Sequence, residues 1–462
     1  MPPRPRENRA FANTPRHAVQ HGESHGLASK TGTSVCLPEQ SRSCTLRAYR
    51  ASLMSIDSRR DGPPAASRIK LLCLLFIAGV AMRLTLLAIP PVIPLIHEQL
   101  HMSETQIGLL VGLPLAVFAA AAVPGSLFIA RFGTTLAVFL GVTLAAIAGG
   151  LRGAAFDVLT LYAASIAAGF GIAVMQPAMP TLAREWLPAR IALATIAYSS
   201  GMVIGATLPP ALTIAFVLPL AGGSWRLDLM LWALPAALIA VVFFLLSPRG
   251  QRARNAGKVP AAAARLWWPN WKDPLVWLLG FAFGCNSGPF FAANAFIGDY
   301  LASAGQARLL GSALSALNGA QIVGLFVLIV MAGRLQQRVW PFLLFGPAML
   351  AAFLGLIFLS SPLAIIACAS VIGLATSITM TAVLALPPLL AAPADVSRTA
   401  AGMLTISYSC AIVIPTACGA LWDLTGQSWT TFVLPCVCCV GLTATGASAA
   451  RHPSAAQKAL GR

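Results

Sequence analysis

The chain has 462 residues, 57% of them hydrophobic and only 10% charged, with a formal net charge of +17. Soluble domains carry about 25% charged residues, so a water-soluble chain of this length is excluded. The basic excess lies in a polar tail and in alternate short loops, without the aromatic-interleaved stripes that grip nucleic acid, so no nucleic-acid partner is implied.

Residues 1–67 are rich in Arg, Ser, Pro and Gly and lack a hydrophobic period, which predicts a disordered basic tail. The tail contains no apolar stretch of the signal-peptide kind, and Met54 opens a shorter leader, Met54-Ser55-Ile56-Asp57-Ser58-Arg59-Arg60, as a candidate start of translation. Apolar runs of about twenty residues, each able to cross a hydrocarbon core of about 30 Å, then recur. They predict helices near 69–96, 105–129, 134–152, 158–182, 190–218 and 228–247, and again near 275–301, 309–332, 339–360, 362–389, 398–421 and 427–449. The expected fold is an all-α membrane protein with twelve transmembrane helices in two six-helix halves. The halves fall at 68–247 and 275–449, joined by a basic loop at 248–274 and followed by a tail at 450–462.

Of the 31 Lys and Arg, all but Arg83, Arg152, Arg226 and Arg308 fall in the N-terminal tail or in loops on its side. Short loops rich in Lys and Arg stay in the cytoplasm, so both termini are expected there, with the chain multi-pass in a cell (inner) membrane and in contact with lipid. The segment Ile196-Ala197-Tyr198-Ser199-Ser200-Gly201-Met202-Val203-Ile204 in the fifth helix matches Ile406-Ser407-Tyr408-Ser409-Cys410-Ala411-Ile412-Val413-Ile414 in the eleventh, as duplicated transporter halves do. The ten cysteines lack the paired spacing of a zinc site and read as small packing residues.

All acidic residues and histidines fall in tails, loops or helix ends, leaving Arg83 as the charge deep inside a helix. From Ile69 it lies about 21 Å along at about 1.5 Å per residue. Burial there costs about 2.5–3.5 kcal/mol on insertion scales, so such a residue faces a cavity and a partner. Two partners are open: an anionic solute, or backbone carbonyls freed near Pro90-Pro91 and Pro94. Asn286 in the seventh helix stands at about the same depth and offers an amide to a solute, or to a neighbouring helix. Gln176, Tyr198, Phe291 and Tyr408 are further candidates for a pocket, with Met179, Phe290, Asn318 and Gln321 beside them. Glu98 and Asp299, near the outer helix ends, read as surface charges. No nucleophile, base and orienting acid stand together, and no metal-ligand cluster is evident, so neither an enzyme nor a cofactor is implied.

Several stretches between Arg83 and Trp429 resemble the cyanate permease and nitroimidazole transporter group of the major facilitator superfamily. They include Arg83 with Pro91-Val92-Ile93-Pro94, Ala130-Arg131-Phe132-Gly133, Met179-Pro180 with Arg184, Gly223-Ser224-Trp225-Arg226 with Trp232, and Leu421-Trp422-Asp423-Leu424-Thr425-Gly426-Gln427-Ser428-Trp429. The resemblance implies the major facilitator fold and secondary active transport by alternating access, with a small anionic or polar solute handled by Arg83. The sequence departs from the group at Ala81-Met82-Arg83-Leu84 and at Asn286-Ser287. Ser126 and Ala130 replace the glycine and acid of the superfamily's loop signature. A drug or metabolite exporter of the same fold and a non-transporting membrane solute sensor are the competing readings.

Overall fold

A chain crossing lipid has no water to satisfy its peptide groups, so each span must close its own hydrogen bonds. The computed structural model describes residues 65–248, 269–331, 339–391 and 395–451, all within one compact unit, and among these residues there is no strand. The expectations for the basic tail, the start at Met54, most of the central loop and the C-terminal tail fall outside the described residues.

Six long helices form the first half: α1 (Ala65–Leu87), α2 (Glu104–Phe132), α3 (Thr134–Gly153), α4 (Val158–Trp186), α5 (Ile191–Leu212) and α6 (Trp225–Leu246). Six form the second: α7 (Pro274–Ser303), α8 (Leu310–Met331), α9 (Trp340–Phe358), α10 (Pro362–Leu384), α11 (Val396–Thr425) and α12 (Val433–Arg451). Among the described residues, eleven stretches are long and apolar enough to cross a membrane, and α2 adds a shorter apolar stretch, Glu104–Ala120. The chain is a multi-pass membrane protein.

Proline explains the main departures from the expected windows, because it lacks an N–H and clashes with the preceding turn. The first window is not one helix. It stops at Leu87, passes through a tight turn at Pro90–Val92 and restarts as Ile93–Leu100. The fifth loses two donors at Pro209 and Pro210 and loosens into a π-helical turn at Thr213–Val217. His101, in the left-handed region at φ 48°, ends the restarted first helix. Ser103 then caps α2 reciprocally with Gln106, at 3.3 and 3.0 Å.

Packing repeats every six helices. In the first half α1 lies on α5, α2 on α4, and α3 on α4 and α6. In the second, α7 lies on α11, α8 on α10, and α9 on α10 and α12. Across the halves α2 runs along α11 and α5 against α8, again equivalent pairs. Small residues let these backbones touch. Gly201 of α5 meets Phe76 and Val80 of α1, and Gly112 of α2 meets α11, where a Cβ would stand 2.7 Å from Ile412 Cα. On α6 the exposed residues Leu234, Leu238, Val241 and Leu245 share one face by their helical spacing, a surface suited to lipid tails.

Candidate functional site

Arg83 sits one turn before the break in α1. Its side chain is half-buried, and among the described residues it has no hydrogen-bond or ion-pair partner. Its electrostatic neighbour is Tyr408 of α11, in the other half. The Tyr408 hydroxyl accepts a hydrogen bond from Gln176 Nε2 of α4 at 3.4 Å, and its ring meets Phe118 of α2 edge-on at 5.3 Å between centroids. Arg83, Gln176 and Tyr408 are thus brought together by helices of both halves. Phe118 joins them without any signal in the sequence beyond being one more apolar residue.

A carbonyl near the α1 break, that of Thr85, goes to a different arginine. Arg152 of α3 is only 1% exposed. It donates from Nη1 to Thr85 O at 2.7 Å and from Nε to Ser165 Oγ of α4 at 3.1 Å. Residues two apart point to nearly opposite faces of a helix, so Arg152 grips the back of α1 while Arg83 points elsewhere. This corrects two expectations: Arg152 is not a loop charge, and Arg83 is not the single cation buried among helices. Glycine spacing around it, Gly149, Gly150 and Gly153, was the available signal. At Gly149 an added Cβ would stand 3.1 Å from Thr85 Cγ2.

Asn286 is fully buried and engaged inside the second half. Its Nδ2 donates to Thr376 O at 3.3 Å, and its Oδ1 accepts from Thr379 Oγ1 of α10 at 2.7 Å. Asn318 donates to Asn294 Oδ1 at 2.9 Å and accepts a long bond from Gln321 at 3.5 Å. Met179 and Phe290 are buried. Phe291, also buried, lines a small apolar cavity with Leu86, Leu87, Val111 and Pro114, one turn beyond Arg83 towards the α1–α2 loop. Tyr198 lies on α5 with its backbone against Gly79 of α1 and its side chain half-buried.

The halves are joined at the end carrying the α1–α2 loop. Asp423 of α11 accepts from the backbone N–H of Glu104 at 3.0 Å and of Thr105 at 2.9 Å, and from the Thr105 hydroxyl at 2.5 Å, capping α2 from the other half. His97 meets Asp299 of α7 at 3.3 Å. Asp299 is therefore a buried partner rather than the surface charge expected of it. Arg226 donates to Ala155 O at 3.2 and 3.1 Å, stacks over the Trp225 ring at 4.4 Å, and shares Gln99 with Trp225. Nearby Asp157 caps α4, and its hydrogen bonds from Thr160 hold its carboxyl below the ordinary carboxylate range.

Among the described residues, twelve long helices in two matched halves, linked across the halves at the end carrying the α1–α2 loop, define a multi-pass membrane protein of transporter-like architecture. The pattern of the Major Facilitator Superfamily matches residues 71–416, and the chain belongs to that superfamily. It is 25% identical to the cyanate transport protein CynX of Escherichia coli over 374 residues, 80% of this chain and 95% of that one. It is 27% identical to the 2-nitroimidazole transporter of the same organism over 252 residues, 54% of this chain and 62% of that one. The fold is also that of a bacterial homologue of the lysosomal transporter Spinster, solved inward-facing and unoccupied, with TM-score 0.62 at 18% identity and coverage of 84% and 95%. A mutant of the nucleoside transporter NupG gives 0.63 at 14% identity, with coverage of 82% and 98%.

Proposed function

We propose that this transporter moves a small anionic or strongly polar solute by alternating access, with Arg83 as its binding cation. The observation that carries the reading is the division of labour on α1. Arg152 takes the Thr85 carbonyl, and Arg83, half-buried and with Tyr408 of the other half as its electrostatic neighbour, has no protein anion or acceptor among the described residues. A guanidinium kept at that depth without a partner is paid for by a ligand. Gln176 and the Tyr408 hydroxyl supply neutral hydrogen bonds beside it, and Phe118 and Tyr408 supply aromatic edges that fix orientation. The cyanate and nitroimidazole transporters to which the chain is similar agree with a small polar solute. Asn286 has no part in this reading, because its amide is engaged with α10.

Moving a monovalent anion inward against the membrane potential costs about 2.3 kcal/mol per 100 mV, so accumulation requires exchange, co-transport or rapid consumption inside. The charge count orients both termini to the cytoplasm of an inner-membrane protein. The joined end then faces outwards.

The test is solute-dependent thermal stabilisation of purified protein, with cyanate, other small anions and nitroimidazoles against wild type, Arg83→Ala and Arg83→Lys, followed by vesicle flux with any hit. Stabilisation of wild type, weakened in Arg83→Lys and lost in Arg83→Ala, is the expected result. Stabilisation by neutral or aromatic compounds alone, equal in all three proteins, overturns the anion reading and favours an exporter.

A further inference from the structure

At the joined end three side chains from both halves converge. His97 Nδ1 and one carboxylate oxygen each from Glu104 and Asp299 lie within 4.8 Å of one another. His97 Nδ1 is 3.3 Å from Asp299 Oδ2 and 3.8 Å from Glu104 Oε1. Ligands of a tetrahedral zinc ion, each at about 2.0–2.1 Å, stand about 3.4 Å apart. The two distances from His97 are within about half an ångström of that spacing, and the carboxylate pair, within 4.8 Å, needs a side-chain adjustment of up to about 1.4 Å.

Glu104 gives the independent sign. It is 6% exposed, its Oε2 has no hydrogen-bond partner, and its Oε1 meets the imidazole only beyond hydrogen-bond length. A buried carboxylate without a donor is expensive, and a cation between it, His97 and Asp299 would supply what it lacks. Asp423 is not a competing ligand, since its oxygens are engaged with Glu104 and Thr105 of the α2 N-terminus. It fixes the backbone that carries Glu104, as outer-shell groups do at metal sites. His97, about a third exposed, leaves a path from solvent.

One imidazole and two carboxylates suit zinc-class divalent ions, whereas magnesium and calcium take oxygen ligands. We propose that His97, Glu104 and Asp299 form a zinc-class cation site that ties the first half to the second at this end. Because His97 and Glu104 belong to one half and Asp299 to the other, a bound ion holds this end shut until it leaves or loses a ligand.

The experiment uses the untagged full-length protein in detergent, titrated with Zn²⁺ and separately with Mg²⁺, read by calorimetry and by hydrogen exchange. The variants are His97→Ala, Glu104→Gln and Asp299→Asn, with His101→Ala, an exposed histidine on the same loop, as control. Expected are binding of Zn²⁺ over Mg²⁺, at least tenfold weaker in each of the three variants and unchanged in His101→Ala. Zinc-dependent protection should appear at both 97–107 and 299–306. Equal zinc binding by wild type and the three variants identifies an adventitious ion only, held elsewhere, for example at His17, His21 and His25, and overturns the proposal. Protection confined to one half overturns it too. If a variant does not fold, the wild type still decides, because no zinc-dependent protection at these segments refutes the site.

Discussion

Gly201→Ala tests the packing that holds Arg83 in place. The new Cβ would stand 2.9 Å from the carbonyl carbon of Phe76 and 3.1 Å from Val80 N, with the Phe76 carbonyl oxygen closer still. Comfortable separations are about 3.5–4.0 Å. These neighbours are backbone, the carbonyl oxygen nearest of all, so α1 itself must retreat by about 1–1.5 Å, which forfeits at least about half of the dispersion energy along the seam. With some tens of atom pairs at about 0.1–0.2 kcal/mol each, the loss is about 1–3 kcal/mol, the usual range for overpacking. Alanine also gains up to about 1 kcal/mol of helix propensity over glycine, so a control must carry that gain alone. Gly150→Ala does so, since its Cβ would lie 3.4 Å from Ala233 Cβ, ordinary contact. Thermal unfolding in one detergent should place Gly201→Ala below wild type and Gly150→Ala at or above it. Equal shifts of one sign would refute the claim that α1 and α5 touch backbone to backbone.

Asn286→Ala should lower stability by about 1–2 kcal/mol through the lost bonds to α10, yet leave solute-dependent stabilisation intact in the same melts. Tyr408→Phe keeps the edge contact with Phe118 and removes the hydroxyl, so solute affinity in the stabilisation assay should fall about two- to tenfold with little change in stability. Asp423→Ala uncaps α2, at a cost of about 1 kcal/mol, and hydrogen exchange at Glu104–Ile107 should quicken. Asp157 is depressed in the folded state, so its contribution to stability is full above the unfolded carboxylate value of about 3.9 and is lost as pH falls through the lower folded value. The stability difference between wild type and Asp157→Asn should therefore be constant from pH 7 to about 5 and shift in favour of the variant below about 4.

The spans were legible because length and apolarity alone decide them: the window 134–152 lies within one residue of the helix Thr134–Gly153. Arg83 was legible because one charge at mid-helix stands out. Depth along a helix follows from counting residues, but which way a residue faces does not. An apolar helix lacks the polar stripe that marks a solvent face, so the pairing of Asn286 with α10 and of Gln176 with Tyr408 appears only once neighbours are placed. Arg152 and Asp299 were misjudged for another reason. A position at a helix end implies water only if nothing covers the end, and here the opposite half or an adjoining helix covers each.

The glycines between α2 and α11 carry a consequence of their own. Gly108 lies against Pro415, Gly112 against Ile412, and Gly419 against Glu104, so α2 and α11 approach closely at these glycines, beside the Phe118–Tyr408 ring contact and the Asp423 cap that also cross the seam. On the alternating-access reading proposed above, such a seam acts as mechanical clearance, because the glycines add no side chain of their own that sliding would have to unseat. A single added side chain at Gly112 would then work as a wedge, jamming the protein in one pose and turning a moving machine into a static scaffold for capturing its solute.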